Sequence, residues 1–153
     1  MKRLRVSTLV VGVVLSLVVG LGAALAAGSG GRAVTASARR PGLGRILVDG
    51  RGRTLYLFEK DRRGRSSCSG ACAMFWPPLL THGKPTAVRG AKASLLGTTR
   101  RRDGREQVTY AGHPLYRFIE DTRPGQTNGA GLVEFGAGWD VLSPAGRKVE
   151  RGD

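Results

Sequence analysis

Acidic residues, cysteines and helical periodicity are all scarce in this chain, and each scarcity closes off a class of protein. Cys68 and Cys72 are its 2 cysteines. A structural zinc site needs four ligands and finds too few strong ones here. Haem attachment is disfavoured too, because no Cys-x-x-Cys-His spacing occurs. His82 and His113 lie in Gly- and Pro-containing turns, and neither has a Ser or Cys nucleophile at a recognisable spacing. With 24 Gly and 7 Pro, few places remain for a helix, and no useful helical-period stretch follows Ala27. One short helical turn near Ser69–Phe75 is the exception we expect.

What the chain does have begins at its N-terminus. "MKRLR" is followed by an apolar run from Val6 to Ala27 that ends in "GAALAAG", with Ala24 and Ala26 as the small-x-small pair. This reads as an export signal, residues 1–26, cleaved after Ala26. A retained membrane anchor is the alternative, because about 20 apolar residues can cross a bilayer. No Cys follows the run, so there is no acceptor for a lipid anchor. Residues 27–42 are mostly small or Arg, and we expect a flexible tether there. The folded part is then 43–150, one domain with a modest core.

The balance of 25 Lys and Arg against 11 Asp and Glu gives a formal charge of +14. Arginines cluster at Arg39–Arg40, Arg62–Arg63–Arg65 and Arg100–Arg101–Arg102. Nucleic acid is the first partner to test for an intracellular chain of this charge, but export sets it aside. Export points the charge toward anionic envelope polymers or a phospholipid surface, with membrane attachment through the N-terminus only if the signal is retained. The competing reading is compositional: Arg simply covers a solvated surface.

The firmest pattern is an internal duplication. "LYLFEKD" (55–61) returns as "LYRFIED" (115–121), and Gly44, Arg45, Val48, Gly52, Leu55, Tyr56, Phe58 and Asp61 all recur 60 positions later. Farther on, "WPPLLTHGK" from Trp76 resembles "WDVLSPAGR" from Trp139 at an offset of 63. The copies span 44–90 and 91–150. Their local pattern is β, with turns expected at Asp49-Gly50, Asp103-Gly104, Ala111-Gly112 and Pro144-Ala145-Gly146. Leu55 and Leu57 should point one way and Tyr56 and Phe58 the other. A single copy has too little core for both sets, so each copy should cover the other's repeated Leu, Tyr and Phe. Each such burial contributes roughly 1.5–3 kcal/mol. The residues between the repeated ones should face solvent. The expected architecture is an all-β, duplicated sandwich or partly closed barrel with pseudo-two-fold symmetry.

Few residues suggest chemistry. In an exported protein, Cys68 and Cys72 read as a disulfide. Helical Cβ atoms four apart are about 5–6 Å apart and a disulfide needs about 3.5–4.5 Å, so Ser69-Gly70 must bend the backbone. The alternative is a redox or copper-handling site using both cysteines with Met74 or His82. Tyr56/Asp61 and Tyr116/Asp121 form a repeated Tyr-x4-Asp pair. Two carboxylates could meet as an acid/base pair or cation site. The structural reading has Asp capping a turn and Tyr filling the core. Trp76 and Trp139 read as core, and the terminal Arg151-Gly152-Asp153 as chance.

"LYLFEKD", "CSGACAMFWPPL", "QVTYAGHPLYRFIED" and "GWDVLSPAG", in this order, resemble the bacterial secreted-repeat family, often lipoproteins, marked by tandem Tyr-x4-Asp motifs. The resemblance covers roughly Gly44 to Gly146. It implies an envelope or secreted protein of unassigned function and supplies no catalytic residue or cofactor. Many relatives carry a lipidated Cys after the signal, which this chain lacks. The expectation is therefore an exported, non-enzymatic binding or structural module with no cofactor.

Overall fold

Turn-forming residues interrupt the chain so often that the longest strand among the described residues has 7 residues. The computed structural model describes residues 31–62 and 64–150. The proposed signal, residues 27–30 of the expected tether, Arg63 and Arg151–Asp153 lie outside the described residues. In chain order come β1 (Val34–Arg40), β2 (Gly44–Asp49), β3 (Tyr56–Phe58), α1 (Ala71–Phe75), β4 (Thr86–Ala87), β5 (Leu96–Arg100), β6 (Glu106–Tyr110), β7 (His113–Pro114), β8 (Leu132–Glu134), β9 (Ala137–Leu142) and β10 (Lys148–Val149). They form three sheets, ordered β2-β1-β4, β10-β9-β3 with β8 also on β9, and β5-β6-β7. The result is all-β and sandwich-like, without closure into a barrel. Among the described residues no helix is long and apolar enough to cross a membrane.

The duplication is visible in the hydrogen bonds. Tyr56 N–H donates to the Tyr116 carbonyl at 2.9 Å, and Tyr116 N–H returns the bond to Tyr56 at 3.0 Å. A pseudo-two-fold axis therefore passes between these equivalent residues. On one side Tyr56 pairs with Val141; on the other Tyr116 pairs with Pro78. Those partners differ by 63 positions, the second offset of the repeat. Likewise Glu59 N–H donates to Gly138 and Ile119 N–H to Phe75, both at 3.0 Å.

The alternation of β3 sorts its side chains into two cores. Tyr56 and Phe58 join Trp76, Tyr116, Phe118 and Trp139 on one face. Leu55 and Leu57 join Leu47, Leu79, Val108 and Leu115 on the other. Each core draws on both copies, so neither copy can bury its apolar residues alone.

Two expectations need correction. The segment expected as tether contains β1, which pairs with β2 from Thr35↔Asp49 to Arg40↔Gly44 and lies parallel to β4. The fold thus begins well before Leu43: Ala33, Thr35, Ala36 and Ser37 are buried. Small residues suit that strand because it is held by its backbone ladder and lies close to its neighbours. Second, Leu57 is buried rather than facing solvent, because β3 is covered on both faces.

Candidate functional site

The repeated Tyr-x4-Asp motif closes across the copies rather than within them. Tyr56 Oη donates to Asp121 Oδ2 at 2.5 Å, and Tyr116 Oη donates to Asp61 Oδ2 at 2.7 Å. Each carboxylate also fixes the loop that follows it. Asp61 Oδ1 accepts from Ser67 N–H at 2.7 Å, and Asp121 Oδ1 accepts from Asn128 N–H at 2.9 Å. Burial raises both tyrosine pKa values above the ordinary 10.0, with the facing carboxylate adding to the rise. Burial likewise raises Asp61, and its hydrogen bonds from Ser67 and Tyr116 oppose the rise. Each carboxylate is bonded to the tyrosine of the opposite copy.

Beside this lies a four-ring stack. Trp76 and Trp139 are fully buried, with centroids 3.9 Å apart and planes 6° from parallel. Phe118 stacks on Trp76 at 4.3 Å and Phe58 on Trp139 at 4.0 Å. Tyr56 and Tyr116 meet the two indoles edge-on. The Trp76 indole N–H donates to Glu134 Oε2 at 2.8 Å, and that of Trp139 to the Glu134 carbonyl at 3.2 Å. Gly129 admits this packing: a Cβ there would lie 2.6 Å from the Trp76 ring.

The two Tyr–Asp pairs differ in their surroundings. Asp121 is buried, and Gly129 N–H donates to the Tyr56 hydroxyl at 3.3 Å. The other pair borders a surface cleft. There the Tyr116 and Ser66 hydroxyls lie 2.8 Å apart, and Arg101 Nη1 donates to Ser66 Oγ at 2.8 Å and to Gln107 Oε1 at 2.6 Å. Arg101 Nη2 donates to the Cys68 carbonyl at 2.7 Å. Cys68 and Cys72 form a disulfide with Cα atoms 5.3 Å apart. Arg101, buried itself, thereby fastens the disulfide loop to β6.

Above Arg101 the loop walls a cleft of about 380 Å³ bearing Ser66, Ser67, Ser69, Met74 and Arg102. It adjoins a trough of about 660 Å³ lined by Lys60, Arg62, Arg65, Ser66, Ser67 and Arg102. Two of the arginine clusters, far apart in sequence, converge here. Among the described residues Lys60, Arg62, Arg65 and Arg102 have no carboxylate partner. At the far rim Arg105 is already paired with Asp103 at 2.6 Å, and that contact holds the Asp103 carboxyl well below the usual range. Unpaired cations next to hydroxyl donors suit an anion with several oxygens.

Sequence reasoning noticed these clusters without bringing them together. It also missed Arg101 and Ser66–Ser69 as parts of one site. The charge runs were the available signal, but their meeting depends on tertiary folding. The structure does not gather the copper ligands: His82 is exposed and lines a different cleft from Cys68 and Met74. Among the described residues no three His, Cys, Asp or Glu side chains form a metal-binding group.

Fold and site together define an internally duplicated β protein with a cationic, serine-lined surface cleft. Residues 37–80 and 97–143 each match the family described as a secreted repeat of unknown function, and the chain belongs to that family. The protein is accordingly an exported one. No curated protein and no solved structure matches it.

Proposed function

We propose that this exported protein is a non-enzymatic binding module of the cell envelope, holding phosphate-bearing anionic groups in the trough between Arg62, Arg65 and Arg102. One observation carries the reading: cations from two distant segments meet on a serine-lined surface, with no carboxylate partner for Lys60, Arg62, Arg65 or Arg102 among the described residues. Export supports an extracytoplasmic anion, and an envelope polymer supplies many phosphates in a row. The serine hydroxyls favour binding over reaction. Ser67 Oγ donates to Asp61 Oδ1 at 2.8 Å, so it is held by a carboxylate without an imidazole to activate it. The redox or copper-handling alternative has less support, because both sulfurs are bonded to each other and buried.

Titration with a soluble poly(glycerol phosphate) separates this reading from bulk charge. Arg65→Gln and Arg102→Gln should each weaken binding about tenfold, since a hydrogen bond to a charged group contributes about 1.5 kcal/mol or more. Arg39→Gln, equal in charge change but outside the trough, should leave affinity within about twofold. Equal losses at all three positions would mean that net charge alone attracts the polymer.

A further inference from the structure

Scattered apolar residues on a surface need no explanation, but a cluster does. Met74, Phe75, Ile119, Val133 and Phe135 are exposed to 70%, 50%, 54%, 78% and 39%. Phe75, Ile119 and Phe135 are neighbours. The Phe75 and Phe135 rings lie 6.1 Å apart, and Ile119 N–H donates to the Phe75 carbonyl at 3.0 Å. Met74 precedes Phe75 on α1, and Val133 stands two positions before Phe135 on the β8–β9 hairpin. The result is an apolar ridge built from α1, the segment after the second Tyr-x-Phe, and one hairpin tip.

The tip itself is unusual. Phe135 has φ +55° and Gly136 φ +88°, as a two-residue hairpin turn requires. Asn or Gly normally occupies the first of these positions, and a bulky aromatic there is strained. Its ring is nevertheless displayed at the surface. Strain accepted in order to expose an aromatic points to a surface use for that ring.

The ridge also shares its edges with the cationic trough. Lys60 Nζ donates to the Phe135 carbonyl at 3.2 Å and lines the trough together with Arg62, Arg65 and Arg102. On the other side Met74 lines the smaller cleft beside Arg102. An apolar projection bordered by Lys60 and Arg102, which have no carboxylate partner among the described residues, complements a surface that is oily within and anionic at its face. That favours an anionic phospholipid bilayer over a purely polar polymer.

We propose that this ridge enters the headgroup–acyl boundary of an anionic phospholipid bilayer while the trough cations take the lipid phosphates. The proposal rests on the reading of the trough as an anion site and names its partner. The exported protein should sediment with vesicles of phosphatidylglycerol and phosphatidylcholine and much less with phosphatidylcholine alone. Phe135→Gly should weaken vesicle binding about tenfold with no loss of thermal stability, because glycine relieves the positive φ. Its affinity for soluble poly(glycerol phosphate) should be unchanged. Phe75→Ser should act in the same direction, and Arg65→Gln and Arg102→Gln should weaken vesicle and polymer binding together.

Vesicle binding indifferent to Phe135→Gly would overturn the ridge while leaving the trough intact. Polymer binding indifferent to the arginine variants would instead remove the functional reading beneath it. Equal sedimentation with neutral vesicles would show that charge plays no part, and would also sink the proposal. So would light scattering that finds a dimer turned into a monomer by Phe135→Gly, since the ridge would then belong to a second copy.

Discussion

Tyr56 and Asp121 are 65 positions apart, yet the hydroxyl of one depends on the carboxylate of the other. A buried polar group without a partner costs about 1–3 kcal/mol, so each half of the crossed motif is needed by the opposite copy. A double-mutant cycle with Tyr56→Phe and Asp121→Ala, read by urea unfolding, should return a coupling of about 1–3 kcal/mol. The same cycle with Tyr56→Phe and Asp61→Ala should return almost none. Coupling confined to the pair within one copy would refute the crossed arrangement. The repeated residues were legible in the sequence, as was their place at a strand end. Which Asp serves which Tyr was not, because identical motifs cannot label their own partners.

At the scale of elements, β1 shows why composition misleads. Its inward positions are Thr35, Ala36 and Ser37, which contribute little apolar area and so resemble a linker. What holds β1 is a ladder of six residue pairs to β2 and the parallel contact with β4. The β5–β6 hairpin of the second copy, turning at Asp103-Gly104, is its counterpart and is readable in sequence by its turn and alternation. Symmetry should have demanded an equivalent strand in the first copy. A chain beginning at Leu43 should lose more than about 3 kcal/mol of stability, a large share of what a domain of this size possesses. Thermal unfolding measures it. A melting temperature equal to that of a chain beginning at Gly31 would restore the tether. The short helical turn, by contrast, fell where "CSGACAMF" placed it, since the disulfide loop leaves room for little else.

For the whole molecule, the aromatic stack decides cooperativity. In order its rings are Phe118, Trp76, Trp139 and Phe58, so second-copy and first-copy residues alternate. Neither copy holds two adjacent members. Segments 31–90 and 91–150, produced separately, should each lack a cooperative unfolding transition, and mixing them should restore one. A transition in either segment alone would show that a single copy can fold. The sequence revealed the duplication and the mutual covering of the halves because those follow from repeated apolar identities. The basic trough stayed hidden because its walls, Arg62–Arg65 and Arg102, become neighbours only after the halves close. That closure leaves the molecule with an optical signature of its own. Two indoles stacked with centroids 3.9 Å apart share their excited states, so their near-ultraviolet absorption band should be displaced from that of isolated tryptophans. Because one indole comes from each half, the band would report assembly without a label.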